Sequence, residues 1–182
     1  RNGKVMKLLT RLSIENLFHP FQTFILGQKN LAPKIAAKFD IPLIFYGENE
    51  AEYGNPLADN ESSLRDKSYF SYKSLDEVYL GGVSVKELKE KYQVRESDIM
   101  SFLPIPEDEL KGKKIEVHYL GYYLRWTPQE VYYYAVENTG FKARPFRTQG
   151  TYSKYNSIDD KIDDLHYYTT RIKFGIGRAT YD

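Results

Sequence analysis

The residues best equipped for chemistry fall into three clusters. The first is Tyr46-Gly47-Glu48-Asn49-Glu50-Ala51-Glu52, which follows the apolar run Ile41-Pro42-Leu43-Ile44-Phe45-Tyr46. In open α/β sheets, ligands sit beyond the carboxyl ends of parallel strands. A glycine there lets the backbone approach a phosphate or a sugar closely. Carboxylates beside an asparagine could hold Mg²⁺ through water or orient a substrate amine; the plainer reading is a solvated acidic turn. The second cluster is Gln28-Lys29, with Lys34 and Lys38 behind it. A lysine aimed at a strand-end crevice pairs with phosphate, although the spacing alone describes an ordinary basic helix face. The third cluster contains Arg144, Arg147 and Lys154, then Asp159, Asp160, Lys161, Asp163, Asp164 and His166, then Lys173, Gly175, Gly177 and Arg178. Gly-x-Gly-Arg sets adaptable backbone beside a guanidinium, which suits pyrophosphate or a sugar carboxylate. It lacks the third glycine of a dinucleotide fingerprint and follows a helix instead of a strand. His166 with Asp163 reads either as an acid–base or metal pair, or as a solvated histidine among acids.

Several elements must position these groups. Apolar residues Leu8, Leu9, Leu12, Ile14 and Leu17 predict a helix over 5–17. His19-Pro20 should end it, because a residue before proline avoids the helical region. A second helix is predicted over 21–39, with a break or restart at Pro33. Residues 41–46 read as a buried parallel strand closed by Gly47. A polar loop over 47–65 follows. Short helices are predicted within 74–110, among them one capped by Ser84 with Glu87 three residues on and one over 97–103. This excursion could form a small lid or an interface. Residues 115–126 read as a strand. Thr127-Pro128-Gln129-Glu130 signals a helix start, and Gly140 its end. After an irregular polar loop over 144–156, a helix over 158–173 would turn Ile162, Leu165, Tyr168 or Thr169, and Ile172 to one face.

Composition narrows the function classes. The 182 residues suit one domain. Lys and Arg number 26 against 25 Asp and Glu, so no bulk charge favours nucleic acid or an anionic membrane. Aromatic and basic residues interleave over 119–126 as in single-strand readers, but the charge balance argues against that role. No cysteine is present, which excludes disulfides, thiol nucleophiles and Cys-ligated zinc within these residues. No apolar run approaches the roughly 20 residues of a membrane span, and no signal-peptide pattern occurs. The ends read as those of a piece cut from a longer protein. Nucleophile-elbow, His-Glu-x-x-His and Walker motifs are absent from the sequence. Tyrosines number 17, enough to wall a pocket or an interface, or to rim a core.

Three stretches resemble the N-acetyl sugar amidotransferase family of PP-loop ATP pyrophosphatases: Phe21-Gln22-Thr23-Phe24-Ile25-Leu26-Gly27-Gln28-Lys29-Asn30; Ile41 through Gly54; and Asn156-Ser157-Ile158-Asp159-Asp160 through Gly175-Ile176-Gly177-Arg178-Ala179-Thr180. The resemblance spans nearly the whole chain. It implies a parallel-sheet, Rossmann-like α/β fold, of which residues 1–182 form the C-terminal part, with a small helical insertion over about 66–112. It implies an enzyme of lipopolysaccharide O-antigen sugar biosynthesis, in the cytoplasm, without nucleic acid or membrane insertion. Its substrate would be an N-acetylated sugar whose acetamido group becomes acetamidino. ATP and Mg²⁺ would be used, with ammonia from a partner glutaminase subunit. Glu48, Glu52, Lys173 and Arg178 would then be catalytic, and Lys29, Gly47 and Asn49 would bind the nucleotide. Tyr122, Trp126, Arg147, Asp163 and His166 would hold the sugar. No metal-ligating residue is assigned. The Ser-Gly-Gly-x-Asp-Ser phosphate loop of such enzymes, and the cysteine pairs before it, lie upstream in the family and do not occur here. Gly47-Glu48-Asn49 takes the place of a Gly-His-Asn turn, with Glu48 where relatives carry histidine. Two alternatives stay open: a PP-loop enzyme with another acceptor, such as a tRNA base, and a non-catalytic docking module for a glutaminase.

Overall fold

The structure, a computed structural model, describes residues 2–47, 62–125, 127–148, 153–155 and 162–174. The chain divides into two compact units, Arg1–Leu17 with Phe21–Arg125, and Phe18–Pro20 with Trp126–Asp182.

In the first unit, α1 (Gly3–Leu17) buries Val5, Leu9 and Leu12, a helical stripe. The helix stops where Phe18 enters the left-handed region, at φ 52°. Helix α2 (Gln22–Phe39) runs through Pro33 without the expected break. Proline has no N–H to give the carbonyl four residues back, that of Lys29. The Tyr46 hydroxyl donates to that carbonyl at 2.9 Å, so the vacated acceptor is satisfied and the helix continues. Asp40 closes α2 in the left-handed conformation, φ 54°, its N–H bonded to Ala36 O. Lys113 Nζ holds the Asp40 carboxylate at 2.6 Å.

The chain then enters β1 (Leu43–Tyr46), which pairs in parallel with β6 (Glu116–Tyr119). The parallel strand is where the sequence places it, but it is not buried. Leu43 and Phe45 are 46% and 51% exposed, while Ile44 and Tyr46 turn inward. Only one face of the pair packs on the apolar cluster that includes α2. The crossover from β1 to β6 encloses a second parallel pair, β2 (Ser71–Tyr72) with β5 (Ile105–Pro106). That pair in turn encloses a hairpin, β3 (Tyr79–Leu80) with β4 (Val83–Ser84), and the helices α3 (Val85–Glu90) and α4 (Glu96–Ile99).

The segment expected as short helices is therefore a mixture of strands and helical turns. Nor is it peripheral: Leu80, Val85, Leu88, Ile99 and Phe102 pack in one cluster with Leu9 and Leu12 of α1. Each such side chain contributes about 1.5–3 kcal/mol through burial. A second cluster joins Ala36 and Ala37 of α2 to Phe70, Ile105, Ile115 and Val117. The Ser84 cap is present, its Oγ accepting from Glu87 N–H at 3.2 Å. The Glu87 carboxylate is paired with Lys91 at 3.2 Å.

Gly81 and Gly82 form the hairpin tip with φ of 65° and 76°, the two positive values of a type I′ turn. The tip presses into α1. A Cβ on Gly81 would lie 2.9 Å from Leu9 O, and one on Gly82 2.8 Å from Asn16 Cβ. Asn16 Nδ2 donates to Gly81 O at 3.0 Å, and Gly81 N–H donates to Gln22 Oε1 at 2.8 Å.

In the second unit, α5 (Pro128–Thr139) begins at its proline and ends at Gly140, φ 71°, as the sequence indicates. Thr127 makes no side-chain cap bond. Tyr132 stacks on Tyr155 with ring centroids 4.5 Å apart. In α6 (Asp163–Phe174) the buried side chains are Tyr167 and Thr169, whereas Leu165, Tyr168 and Ile172 are exposed. Thr169 is the buried member of the face expected from the sequence, and the contacts that seat the helix are aromatic and polar, His166 against His19 among them. Among the described residues, no helix is long and apolar enough to cross a membrane.

Candidate functional site

The inner face of the β1–β6 pair carries Tyr46 opposite Tyr119 in register. Their rings stack with centroids 5.8 Å apart and 28° between planes. On one side the Tyr46 hydroxyl reaches the main chain of Lys29. On the other, the buried Tyr119 accepts a hydrogen bond from Arg65 Nη1. The Arg65 guanidinium lies 4.1 Å from the Tyr69 ring centroid and 5.5 Å from that of Tyr119. Its backbone is fixed as well: Arg65 N–H donates to Val117 O at 2.8 Å, and Leu64 bridges His118 in antiparallel fashion. Lys29, Tyr46, Tyr119, Arg65 and Tyr69 thus form one continuous chain of contacts at the carboxyl end of the parallel pair. A guanidinium seated on aromatic faces directs its N–H donors in its own plane, the geometry that suits carboxylate or phosphate oxygens.

Of the sequence-derived residues in this unit, Lys29 is half-buried on α2 and Gly47 is exposed at the end of β1. Among the described residues, nothing lies within 4 Å of where a Gly47 Cβ would be. Tyr122 is exposed in the turn Leu120–Tyr122 that follows β6, edge-on to Tyr123 at 5.7 Å. Glu48, Asn49, Glu52, Trp126 and Arg178 lie outside the described residues. The structure therefore sets the main chain of Lys29 against Tyr46, the residue before Gly47, and adds Arg65, which the sequence reading passed over. The signal for Arg65 was slight: a cation just ahead of Tyr69-Phe70, in a chain unusually rich in tyrosine.

Arg147, Asp163, His166 and Lys173 belong to the second unit. Arg147 and Lys173 are exposed, and Asp163 opens α6. His166 stacks on His19, centroids 5.3 Å apart and planes 20° apart. Burial, then the charges of His166 and Lys173, pull His19 down to about 4, so at neutral pH its imidazole is uncharged. No group of three or more metal-ligating side chains occurs among the described residues.

An open cleft of about 750 Å³ lies elsewhere in the first unit, lined by Asp66, Lys67, Tyr72, Lys73, Glu77 and Tyr79 among others. It borders the opposite end of β6, where Lys67 Nζ donates to Lys113 O at 3.2 Å. Several of its polar groups are engaged internally: Asp66 caps Ser68 at 2.8 Å, and Lys111 pairs with Asp108. The strand-end cluster is the better candidate, because it joins a fixed cation to the position where this topology places ligands.

No protein-family model matches this chain, and no curated protein matches it. What the structure establishes is a mixed α/β fold with short parallel strand pairs.

Proposed function

We propose that the chain is part of an ATP-dependent amidotransferase that converts the acetamido group of a sugar to acetamidino, with ammonia from a glutaminase partner. The observation that carries this reading is the strand-end cluster: α2 leads into β1, β1 ends at Gly47, and Lys29 and Arg65 are linked to that end through Tyr46 and Tyr119. The chemistry asks for such an arrangement. An amide oxygen is a poor leaving group, so it is adenylated to an imidate, which ammonia attacks as AMP departs. Cations must offset phosphate charge, and water must be kept from the activated intermediate. Lys29 and Arg65 would serve the first need, together with Mg²⁺. Glu48 and Glu52 would orient the acceptor and the attacking nitrogen, Asn49 with Gly47 would contact the nucleotide, and Tyr122 would hold the sugar.

The test uses the full-length protein with its glutaminase, ATP and a nucleotide-linked N-acetyl sugar, with AMP and amidine followed by mass spectrometry. Ammonia-dependent formation of both in equal amounts is expected, and AMP without amidine would overturn the assignment. The 182-residue chain alone is expected to turn over ATP weakly or not at all, since it lacks the phosphate loop that supplies backbone donors.

A second reading, a docking module for the glutaminase, is favoured by one observation. Phe24, Leu31, Ile35 and Phe39 along α2, and Leu43 and Phe45 of β1, are large apolar side chains left exposed. A protein that binds glutaminase normally but makes no AMP at full length would favour it.

A further inference from the structure

The outer face of the β1–β6 pair holds a group of side chains that the strand-end cluster does not use. His118 and Phe45 are partners in register, on the side opposite Tyr46 and Tyr119. After β6 the chain turns through Leu120–Tyr122, with Tyr123 N–H bonded to Leu120 O at 2.9 Å. The turn carries Tyr123 back over the strand. Its hydroxyl lies 2.6 Å from His118 Nδ1, and His118 Nε2 lies 3.2 Å from Glu116 Oε2. Phe45 packs against both rings, at 5.7 Å from His118 and 5.8 Å from Tyr123.

The bonding pattern assigns the protons. An ionised carboxylate only accepts, so His118 Nε2 carries the hydrogen that faces Glu116. Nδ1 is then the lone-pair nitrogen, and it accepts from the Tyr123 O–H. A hydroxyl on a basic nitrogen whose tautomer is fixed by a carboxylate is the arrangement that activates nucleophiles and moves protons in unrelated enzymes. The imidazole is sheltered, with 14% of the His118 side chain exposed. Tyr123 is 52% exposed, so the hydroxyl at the end of the chain is the member that a substrate can reach.

We propose that Glu116, His118 and Tyr123 form a proton relay in which Tyr123 meets a substrate bearing a weakly acidic N–H or O–H. The Tyr123 oxygen takes the substrate proton while its own proton passes to His118 Nδ1. The products are the deprotonated substrate, an intact phenol and an imidazolium beside the Glu116 carboxylate. Run in reverse, the relay protonates a leaving atom. Glu116 is a positioning residue: it fixes the tautomer and stabilises the imidazolium. The relay could take the proton that the attacking nitrogen sheds in amidine formation, but its test does not depend on that reading.

The 182-residue chain is treated with N-acetylimidazole, and acetylation of each tyrosine is timed by peptide mass spectrometry. Tyr134, exposed on α5, is the internal reference. Tyr123 is expected to acetylate roughly tenfold faster than Tyr134, since a general base raises phenolate character. His118→Gln should bring it to the Tyr134 rate, and Glu116→Gln should slow it several-fold. Nitrogen-15 spectra should show neutral His118 as the Nε2–H tautomer, with a mixture of tautomers in Glu116→Gln. Equal rates for Tyr123 and Tyr134 in the unaltered chain would overturn the relay, as would an Nδ1–H tautomer. Neither readout requires a variant to fold.

Discussion

The two units are held together by different means. The first has two apolar clusters, fed by α1, α2 and the short elements between β2 and β5. In the second, the buried residues described are Pro20, Thr148, Tyr167 and Thr169, and no side chain described on α5 is buried. Among the described residues its side-chain packing includes ring on ring contacts: Tyr132 on Tyr155, Phe141 edge-on to Tyr132, His19 on His166. Stacked aromatic pairs contribute about 0.5–1.5 kcal/mol each beyond their burial. A core of fully buried aliphatic side chains contributes more. The first unit should therefore behave as a cooperative body, and the second as one that opens locally.

Hydrogen exchange tests this contrast most directly. Amides of α3 and the β3–β4 hairpin should exchange only by global opening, and those of α5 by openings several kcal/mol cheaper. Equal protection in the two would break the comparison. Glycines sharpen it. Gly82→Ala forces a Cβ to 2.8 Å from Asn16 Cβ at a positive φ, and should cost about 3 kcal/mol or more in urea unfolding. Gly140→Ala has the same sign of φ but no described residue within 4 Å of the added Cβ, and should cost only about 1 kcal/mol.

Acid should act on the second unit. The folded value of His19 is about 4, below the ordinary value of 6.5. Between the two the unfolded chain binds more protons. Stability is therefore level above about pH 6.5 and falls as pH drops towards 4, by on the order of 1–2 kcal/mol after solvent screening of a half-buried ring. Circular dichroism melts across this range should show the loss, and His19→Phe should flatten it. The smallest expected effect lies in the first unit. Tyr46→Phe should cost about 1 kcal/mol by leaving Lys29 O without its donor. In a Pro33→Ala background that cost should shrink, because residue 33 regains an N–H for the same carbonyl. A double-mutant cycle measures the coupling.

What could be read in the sequence was local. Pro128 and Gly140 bracket α5, and a helix, a short apolar run and Gly47 announced β1 as a parallel strand. The misses came from contacts distant in sequence. The Gly81-Gly82 hairpin has strands of two residues, too short to show alternation, so its glycines were passed over. The residues sharing one face of α6 were grouped by hydrophobicity, and of those only Thr169 is buried, because a histidine stack and a buried tyrosine join it in seating the helix. Pro33 looked like a break because its remedy, Tyr46, is on another element. Of the candidate site, Lys29 and Gly47 could be placed from the pattern α2–β1–Gly. Arg65 could not, since its partner Tyr119 lies 54 residues away. Glu116 and His118 could be read only as alternating positions on a strand, because Tyr123 joins them through a turn.

The bond between Tyr46 and the carbonyl left open by Pro33 also works as a gauge of length. Proline at position 33 vacates one particular acceptor on α2, that of Lys29, and so marks one point on the helix. Tyr46 is joined to that mark through the sixteen residues 30–45, which include the reversal at Asp40. Adding or removing one residue between them would turn the tyrosine to the other face of the strand and leave the mark without its donor. The length of this connection should accordingly be invariant where the pair is kept. Among descendants of a common ancestor, the proline and the phenolic hydroxyl should be gained and lost together.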